Sequence, residues 1–498
     1  MFGQGLALTV QIVATVVLAR LLAPGDFGVI AMVTTFSLLL VNFGVNGFTE
    51  AILQNEVVDH ALASNLFWIN LSAGILLSIG FAASGSLLAR FYGDPRVAGV
   101  AVGIALTIFI TSTSVLHLAL LQRAMCFTAV SANDICARVI SVVVSILLAL
   151  AGWGYWALVS GTVAQPLSAS IGAWLLCRWV PGRPRRVAGT ASVMQFAMHV
   201  YGRFSVNYFA RNTDNLLVGW RFNAQALGFY KKAYDLFALS ASQLIGPLTA
   251  VAVSALSRLS RDATQYRRYF LSALGVMALM GMGMGADLML VGKDVIRVLL
   301  GPGWEESGRI FVFFGPGIGM MLLYCTHGWI HLSIGRADRW FRWGILELAF
   351  TGLLFVLALP WGPVGIAVAW TASFWILTIP AFWYAGRPIQ LGVGLILAVI
   401  WRYLAASLLA GCASAAILRN IPYFVTAPSA GEAIARSLMT TVLFGTLYLG
   451  VVILLHRGCA PLYRVADLLG EIVPWRRFSR SSPGVLSAAR PGDEPLSP

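Results

Sequence analysis

Of the chain's 498 residues, 58% are hydrophobic and only 11% charged, with a mean hydropathy of +0.80. A soluble domain is about 25% charged, so this composition excludes one and indicates a polytopic membrane protein. The net charge of +14 follows from basic loops beside anionic lipid headgroups and requires no nucleic acid as a partner.

A hydrocarbon core about 30 Å thick takes roughly 20 apolar residues per helix, and a helix satisfies its own backbone there. Turn and charge punctuation predicts fourteen spans, at 3–20, 27–53, 62–88, 97–121, 134–152, 155–178, 190–219, 225–255, 269–292, 308–333, 342–360, 364–385, 396–418 and 434–456. The count turns on 190–219, which carries Arg203, Arg211 and Asp214; losing it would invert every later segment. With the N-terminus inside, twenty-one of the 34 basic residues fall in internal loops and the tail, among them Arg183, Arg185, Arg258, Arg267 and Arg336. Nine, including Arg20, Arg96 and Arg309, fall outside, and Arg203, Arg211, Lys231 and Lys232 lie within spans. The positive-inside rule therefore sets both termini in the cytoplasm.

The apolar run begins at Met1 with no basic leader or small-residue cleavage site, so no removable signal is expected. Six cysteines, at 126, 136, 177, 325, 412 and 459, show no paired spacing and are expected as reduced, buried thiols. Residues 457–498 form a cytoplasmic tail, and its end, "WRRFSRSSPGVLSAARPGDEPLSP", is expected to be disordered.

The chain also repeats itself. "RLLAPGDFGVIAMV" (20–33) matches "WRFNAQALGFYKKA" (220–233), sharing a turn, an apolar-Gly pair and the start of a long helix. "QRAMCF…LALAGWGYWALV" (122–159) matches "GRADRWF…LALPWGPVGIAVAW" (335–370) in the same order. Two matches about 200 residues apart indicate two six-helix units. Six is even, so the units share one orientation and are related by an axis along the membrane normal, an architecture of alternating-access transporters.

In order, "LARLLAPGDFGVIAMV", "AILQ", "RFYGDP", "LLQRAMCFTAVS", "ALAGWGYWALV", "NTDNLLVGW" with "ALGFYKKAYDL", and "LLGPGW" resemble the polysaccharide transporter family, the oligosaccharide flippases of the multidrug/oligosaccharidyl-lipid/polysaccharide flippase superfamily. The resemblance runs over about residues 10–385. It implies a flippase that moves an undecaprenyl-pyrophosphate-linked oligosaccharide from the cytoplasmic to the periplasmic leaflet of the inner membrane. It also implies an all-helical fold of two six-helix lobes, here 1–180 and 188–386, followed by two additional helices at 392–456. Family members usually carry a further stretch ahead of the first span, so Met1 reads as a misassigned or truncated start. Membrane lipids, and a polymerase and glycosyltransferases of the same pathway, are the expected partners.

A pyrophosphate head with several sugars crosses hydrocarbon only through a hydrated, cationic cavity, because burying charge and unpaired hydroxyls is costly. Charges inside spans are accordingly the candidate site. Arg203, Asn207, Arg211 and Asp214 or Asn215 recur at steps of three and four and share one helical face. Guanidinium forks suit phosphate oxygens; a structural Arg211–Asp214 pair is the competing reading. Lys231 and Asp235, with Lys232 adjoining, form either a second part of the site or an ion pair. Arg20 either contacts substrate at the exit or reaches lipid headgroups, and Asp26 reads as an N-cap. Glu50, Asp287 and Glu347 are lone carboxylates within spans and candidates for coupling to H+ or Na+.

Enzyme signatures are missing from the sequence. It has no Asp-x-Asp, no Gly-x4-Gly-Lys-[Ser/Thr] phosphate loop and no sizeable external loop. Glu305-Glu306 reads as a solvated helix start. His327 and His331, with Cys325 nearby, read as a packed aromatic helix end rather than a metal site. Neither metal nor cofactor is expected. The GxxxG pairs Gly281/Gly285 and Gly99/Gly103 indicate close helix packing. A multidrug cation antiporter of the same superfamily is the alternative, and it would need an acidic cavity; a polytopic glycosyltransferase or polymerase is a further one.

Overall fold

Hydropathy places the helices and capping chemistry sets their ends. The computed structural model describes residues 2–54, 58–185, 190–421 and 429–463, with no strand among them. Its α-helices are α1 (Phe2–Leu21), α2 (Pro24–Gln54), α3 (His60–Ala83), α4 (Gly85–Tyr92), α5 (Arg96–Ser112), α6 (Val115–Arg123), α7 (Phe127–Leu150), α8 (Tyr155–Cys177), α9 (Thr190–Arg221), α10 (Ala224–Arg258), α11 (Ala263–Leu300), α12 (Glu305–Ser333), α13 (Ala337–Ala358), α14 (Gly362–Gly386), α15 (Val393–Arg419) and α16 (Ala430–His456). Every predicted span falls on a helix. Among the described residues, nine segments are long and apolar enough to cross a membrane. Two of these, Arg96–Arg123 and Asp338–Ile389, each run over two helices; α1, α8, α9 and α10 are not among the nine, so the expected fourteen are not all matched by length and hydropathy.

Two spans are broken where hydroxyls compete for the backbone. Predicted span 62–88 divides at Ser84, whose Oγ donates to the Phe81 carbonyl at 2.7 Å. Predicted span 97–121 divides at Thr113 and Ser114, which donate to the carbonyls of Ile110 and Thr111 at 2.7 and 3.2 Å. Such bonds take carbonyls that the next helical turn would use. Elsewhere polar caps extend helices beyond their apolar runs: Asp262 accepts from the Thr264 and Gln265 N–H groups, both at 3.0 Å, and α11 starts at Ala263 rather than 269. Asp26 is not itself the N-cap of α2. That helix opens on Pro24, and Asp26 reaches back from the first turn to the Ala23 N–H at 3.0 Å, half of a capping box. In the second repeat, Asn223 caps α10 forwards, accepting from the Ala226 N–H at 2.8 Å.

The cysteines correct another expectation. Cys126, Cys136, Cys412 and Cys459 are exposed, and only Cys177 and Cys325 are partly covered, all six free. An apolar side chain on the outer face of a spanning helix is covered by lipid, so the protein need not bury it. The tail from residue 464 onward lies outside the described residues.

The repeat visible in the sequence is a contact in the structure. α2 crosses α10 so closely that a methyl group at Gly28 would stand 1.6 Å from the Ala224 carbonyl oxygen, and one at Gly228 1.9 Å from that of Pro24. Positions 24 and 28 thus mirror 224 and 228 across a local two-fold axis. The same symmetry governs the neighbours. The α1–α2 turn packs on the 301–304 turn through Phe27 and Trp304, rings 5.5 Å apart, while the end of α9 packs on α4 through Trp220 and Phe91, stacked at 6.3 Å. α9–α14 form their own bundle, in which Gly281 and Gly285 of α11 meet Gly319 and Gly315 of α12 backbone to backbone, a Cβ at Gly285 lying 2.7 Å from the Gly315 carbonyl oxygen. Gly103 admits Val159 and Trp156 of α8 in the same way. α15 and α16 lean on α11, fixed by a buried ion pair between Arg436 and Asp294 and by the Tyr448 hydroxyl on the Leu279 carbonyl at 2.8 Å.

Candidate functional site

Of the basic residues that the sequence assigned to a site, several have structural duties in this conformation. Arg20 donates from Nη2 to the Val298 carbonyl at 2.9 Å, in the last turn of α11, where helix carbonyls have no intrahelical partner. Trp304 Nε1 returns the favour at the end of α1, donating to the Ala19 carbonyl at 2.9 Å. Lys232 lies 4.1 Å from the centre of the Phe27 ring, bridging α10 to α2. Lys231 pairs with Asp235 at 2.5 Å, the two side chains 29% and 44% exposed. In the neighbouring 93–95 turn, the Arg96 guanidinium forks onto Asp94 at 2.7 Å and holds its carboxyl below the usual range.

Asp214 and Asn215 are each 1% exposed. The Tyr230 hydroxyl donates to Asp214 Oδ2 at 2.8 Å, and the Asn215 N–H to Oδ1 at 2.7 Å. Asp214 thus ties α9 to α10, and the competing Arg211–Asp214 pair does not form. The side chains of Arg203 and Asn207 lie outside the described residues.

Arg211 points elsewhere. It lies on the charged helix α9 and is exposed. Cys325, Tyr234, Glu347 and Tyr324 are its electrostatic neighbours, and it makes no ion pair among the described residues. Glu347 is partly exposed, and nearby the Tyr324 hydroxyl accepts the Trp343 Nε1–H at 2.7 Å. Tyr234 lies within electrostatic range of both Arg211 and Asp235, joining the two charged groups into one region of α9, α10, α12 and α13. Lys231 is neutralised locally. Arg211 is exposed and has no such partner among the described residues.

The other coupling candidates lie apart from Arg211. Glu50 is exposed near the end of α2. Asp287 faces α16, accepting from Thr441 Oγ1 at 3.2 Å. Tyr324 and Trp343, which bond each other between α12 and α13, escaped sequence reasoning because aromatics within apolar helices carry no pattern of their own. His327 and His331 lie in an aromatic cluster with Tyr324, Trp343 and Tyr384.

A family model described as polysaccharide biosynthesis protein matches residues 17–309. The chain is 25% identical over 343 residues to the teichuronic acid biosynthesis protein TuaB of Bacillus subtilis (strain 168), covering 68% of this chain and 69% of that protein. It is 20% identical over 341 residues to the succinoglycan biosynthesis transport protein ExoT of Rhizobium meliloti (strain 1021), again 68% and 69%. Among solved structures, the lipid II flippase MurJ in an inward closed conformation superposes with a TM-score of 0.74 at 12% identity, over 92% of this chain and 98% of that one.

Proposed function

The chain belongs to the polysaccharide biosynthesis protein family, and from that membership we propose that it is a flippase for a lipid-linked oligosaccharide, an undecaprenyl-pyrophosphate-bound glycan precursor of a surface polysaccharide. It is a multi-pass membrane transporter, not a catalyst, working by alternating access of two lobes, 1–180 and 188–386. It resides in the inner membrane with both termini in the cytoplasm and receives substrate from the glycosyltransferases of its pathway. The relatives' names, which include a transport protein for succinoglycan, and the fold shared with a lipid II flippase support this reading. The observation that carries it is Arg211, exposed on the charged helix α9 and without an ion pair among the described residues. Its guanidinium fork binds phosphate oxygens bidentately and would repel a cationic drug.

Deleting the gene should abolish surface glycan and leave the lipid-linked precursor in the cytoplasmic leaflet, while sensitivity to cationic dyes stays unchanged. Restored dye efflux without restored glycan on complementation would instead make the chain a drug antiporter. Orientation is tested separately by single cysteines in a cysteine-free background. A cysteine at Arg183 should react only from the cytoplasm and one at Glu305 only from outside; labelling of both from one side removes the assigned topology.

A further inference from the structure

The segment that follows α8 runs without regular structure from Arg178 to Arg185, yet four of its residues are held by their backbone. Pro181 and Pro184 have no N–H to give a ladder, so side chains supply the partners that the other peptide groups need. His117 Nε2 donates to the Trp179 carbonyl and His60 Nε2 to that of Val180, each at 3.1 Å. The Gly182 N–H donates to Ser64 Oγ at 2.9 Å, and its carbonyl accepts from Trp68 Nε1 at 2.8 Å. Asn65 closes the row, accepting the Arg185 N–H at 2.8 Å and donating to the Arg185 carbonyl. His60, Ser64 and Trp68 stand at steps of four on one face of α3, and His117 comes from α6. The Trp179 ring lies against His60, Phe67 and His117, with centroids 5.7, 6.1 and 5.3 Å apart. All the holders belong to the first lobe, and undocking would break these bonds together and uncover an aromatic ring.

The start of α9 stands on the same ground. Its Val193 and Ala197 are buried in one apolar cluster with Phe48 and Ile52 of α2 and Leu66 of α3, and Trp179 packs on that cluster too. A Cβ at Gly47 of α2 would lie 3.4 Å from the Ala197 Cβ. Farther along, the Tyr201 and Tyr208 hydroxyls of α9 donate to the α2 carbonyls of Leu39 and Thr35, at 3.2 and 2.7 Å. By the repeat α9 opens the second lobe, but by contact its first turns are seated on the first.

We propose that this corner is the pivot of the transporter: the strap 179–185 and the first turns of α9 stay docked on α2, α3 and α6 throughout the cycle, and the second lobe turns about them. The holders bond peptide groups while Arg183 and Arg185 remain exposed, so the strap is fixed through its path and not through its charges. The outer end of α2 can then part from α10 while its inner end keeps hold of α9. A gate at the same place would demand the reverse, with the α2–α9 contact opening in every cycle. The inference rests on the alternating-access reading of the two lobes.

The test uses the full chain in cells, in a cysteine-free background, with two cysteine pairs. Ser64→Cys with Gly182→Cys ties the strap to α3, a Cβ at 182 lying 3.4 Å from Ser64 Oγ, and Gly47→Cys with Ala197→Cys ties α2 to α9. Both separations suit a disulfide. On oxidation with diamide each pair should cross-link nearly completely, and new surface glycan should keep the level of the reduced form, which controls for the substitutions themselves. Export blocked by either disulfide and restored by reductant would make the corner a gate and overturn the proposal. Loosening the strap with Asn65→Ala and Trp68→Phe together should cut export by about fivefold, and forming the 64–182 disulfide in that variant should recover it. Unchanged export in the loosened chain would also overturn the pivot. If the reduced chain exports no glycan, the flippase reading falls, and cross-linking, which needs no substrate, still decides: it should proceed equally fast with Gly28→Ala added, and slower cross-linking there would show that the corner opens.

Discussion

Arg211→Ala is expected to reduce surface glycan by about 10- to 100-fold while membrane abundance stays near wild type. The magnitude follows from what is removed. A hydrogen bond to a charged group contributes about 1.5–3 kcal/mol, and each 1.4 kcal/mol is a factor of ten in binding. Abundance should hold because Arg211 is exposed and makes no ion pair among the described residues, so its loss leaves no buried partner stranded. Arg211→Lys keeps the charge but loses the planar fork, and an intermediate loss is expected. Asp214→Asn should behave in the opposite way. Its carboxylate accepts from Tyr230 and from the Asn215 N–H inside the α9–α10 seam, so the amide weakens the fold and lowers abundance. The two effects should add in the double variant, since the side chains do not pair. Abundance is read by blot and export by surface-glycan staining. Full export in Arg211→Ala would remove the residue from the transport path.

What the sequence made legible divides along a physical line. Hydropathy and turn chemistry are local, and they located the long apolar helices, the Gly281/Gly285 contact and the Gly28/Gly228 repeat. The breaks at Ser84 and at Thr113–Ser114 were hidden because a hydroxyl's choice between solvent and its own backbone depends on tertiary surroundings. Charges within spans were rightly singled out as unusual, but spacing says only which helix face a residue shares, not what lies opposite. Asp214 and Arg211 are three residues apart, yet one is buried against Tyr230 on α10 while the other is exposed and makes no ion pair among the described residues. Arg20, readable as an exit contact or a headgroup contact, instead caps a helix end 278 residues away in sequence. No local pattern could announce that partner.

Gly28→Ala and Gly228→Ala should each cut export by more than about fivefold, although alanine is the smallest addition possible. The atom met is a backbone carbonyl, 1.6 Å from a methyl at position 28 and 1.9 Å from one at 228, so no side chain can rotate away and the helices themselves must part. Overpacking of this kind costs about 1–3 kcal/mol, and in a transporter that alternates between states the cost falls only on the state in which α2 and α10 cross. A bias of that size shifts the conformational equilibrium by about 5- to 150-fold. The crossing lies at the end of the molecule that the charge asymmetry assigns to the outside, so its separation should expose residues now sealed beneath it. A cysteine at Leu227, fully buried here, should be protected from an impermeant thiol reagent in the parent chain and become reactive from outside when Gly28→Ala is added. Gly25→Ala is the control in the same turn, since nothing lies within 4 Å of its added methyl, and it should leave export and protection unchanged. If Gly28→Ala keeps both full export and a protected Leu227 position, the crossing is static packing and the outer closure must be made elsewhere, with the Trp304 and Arg20 clasp the next contact to open.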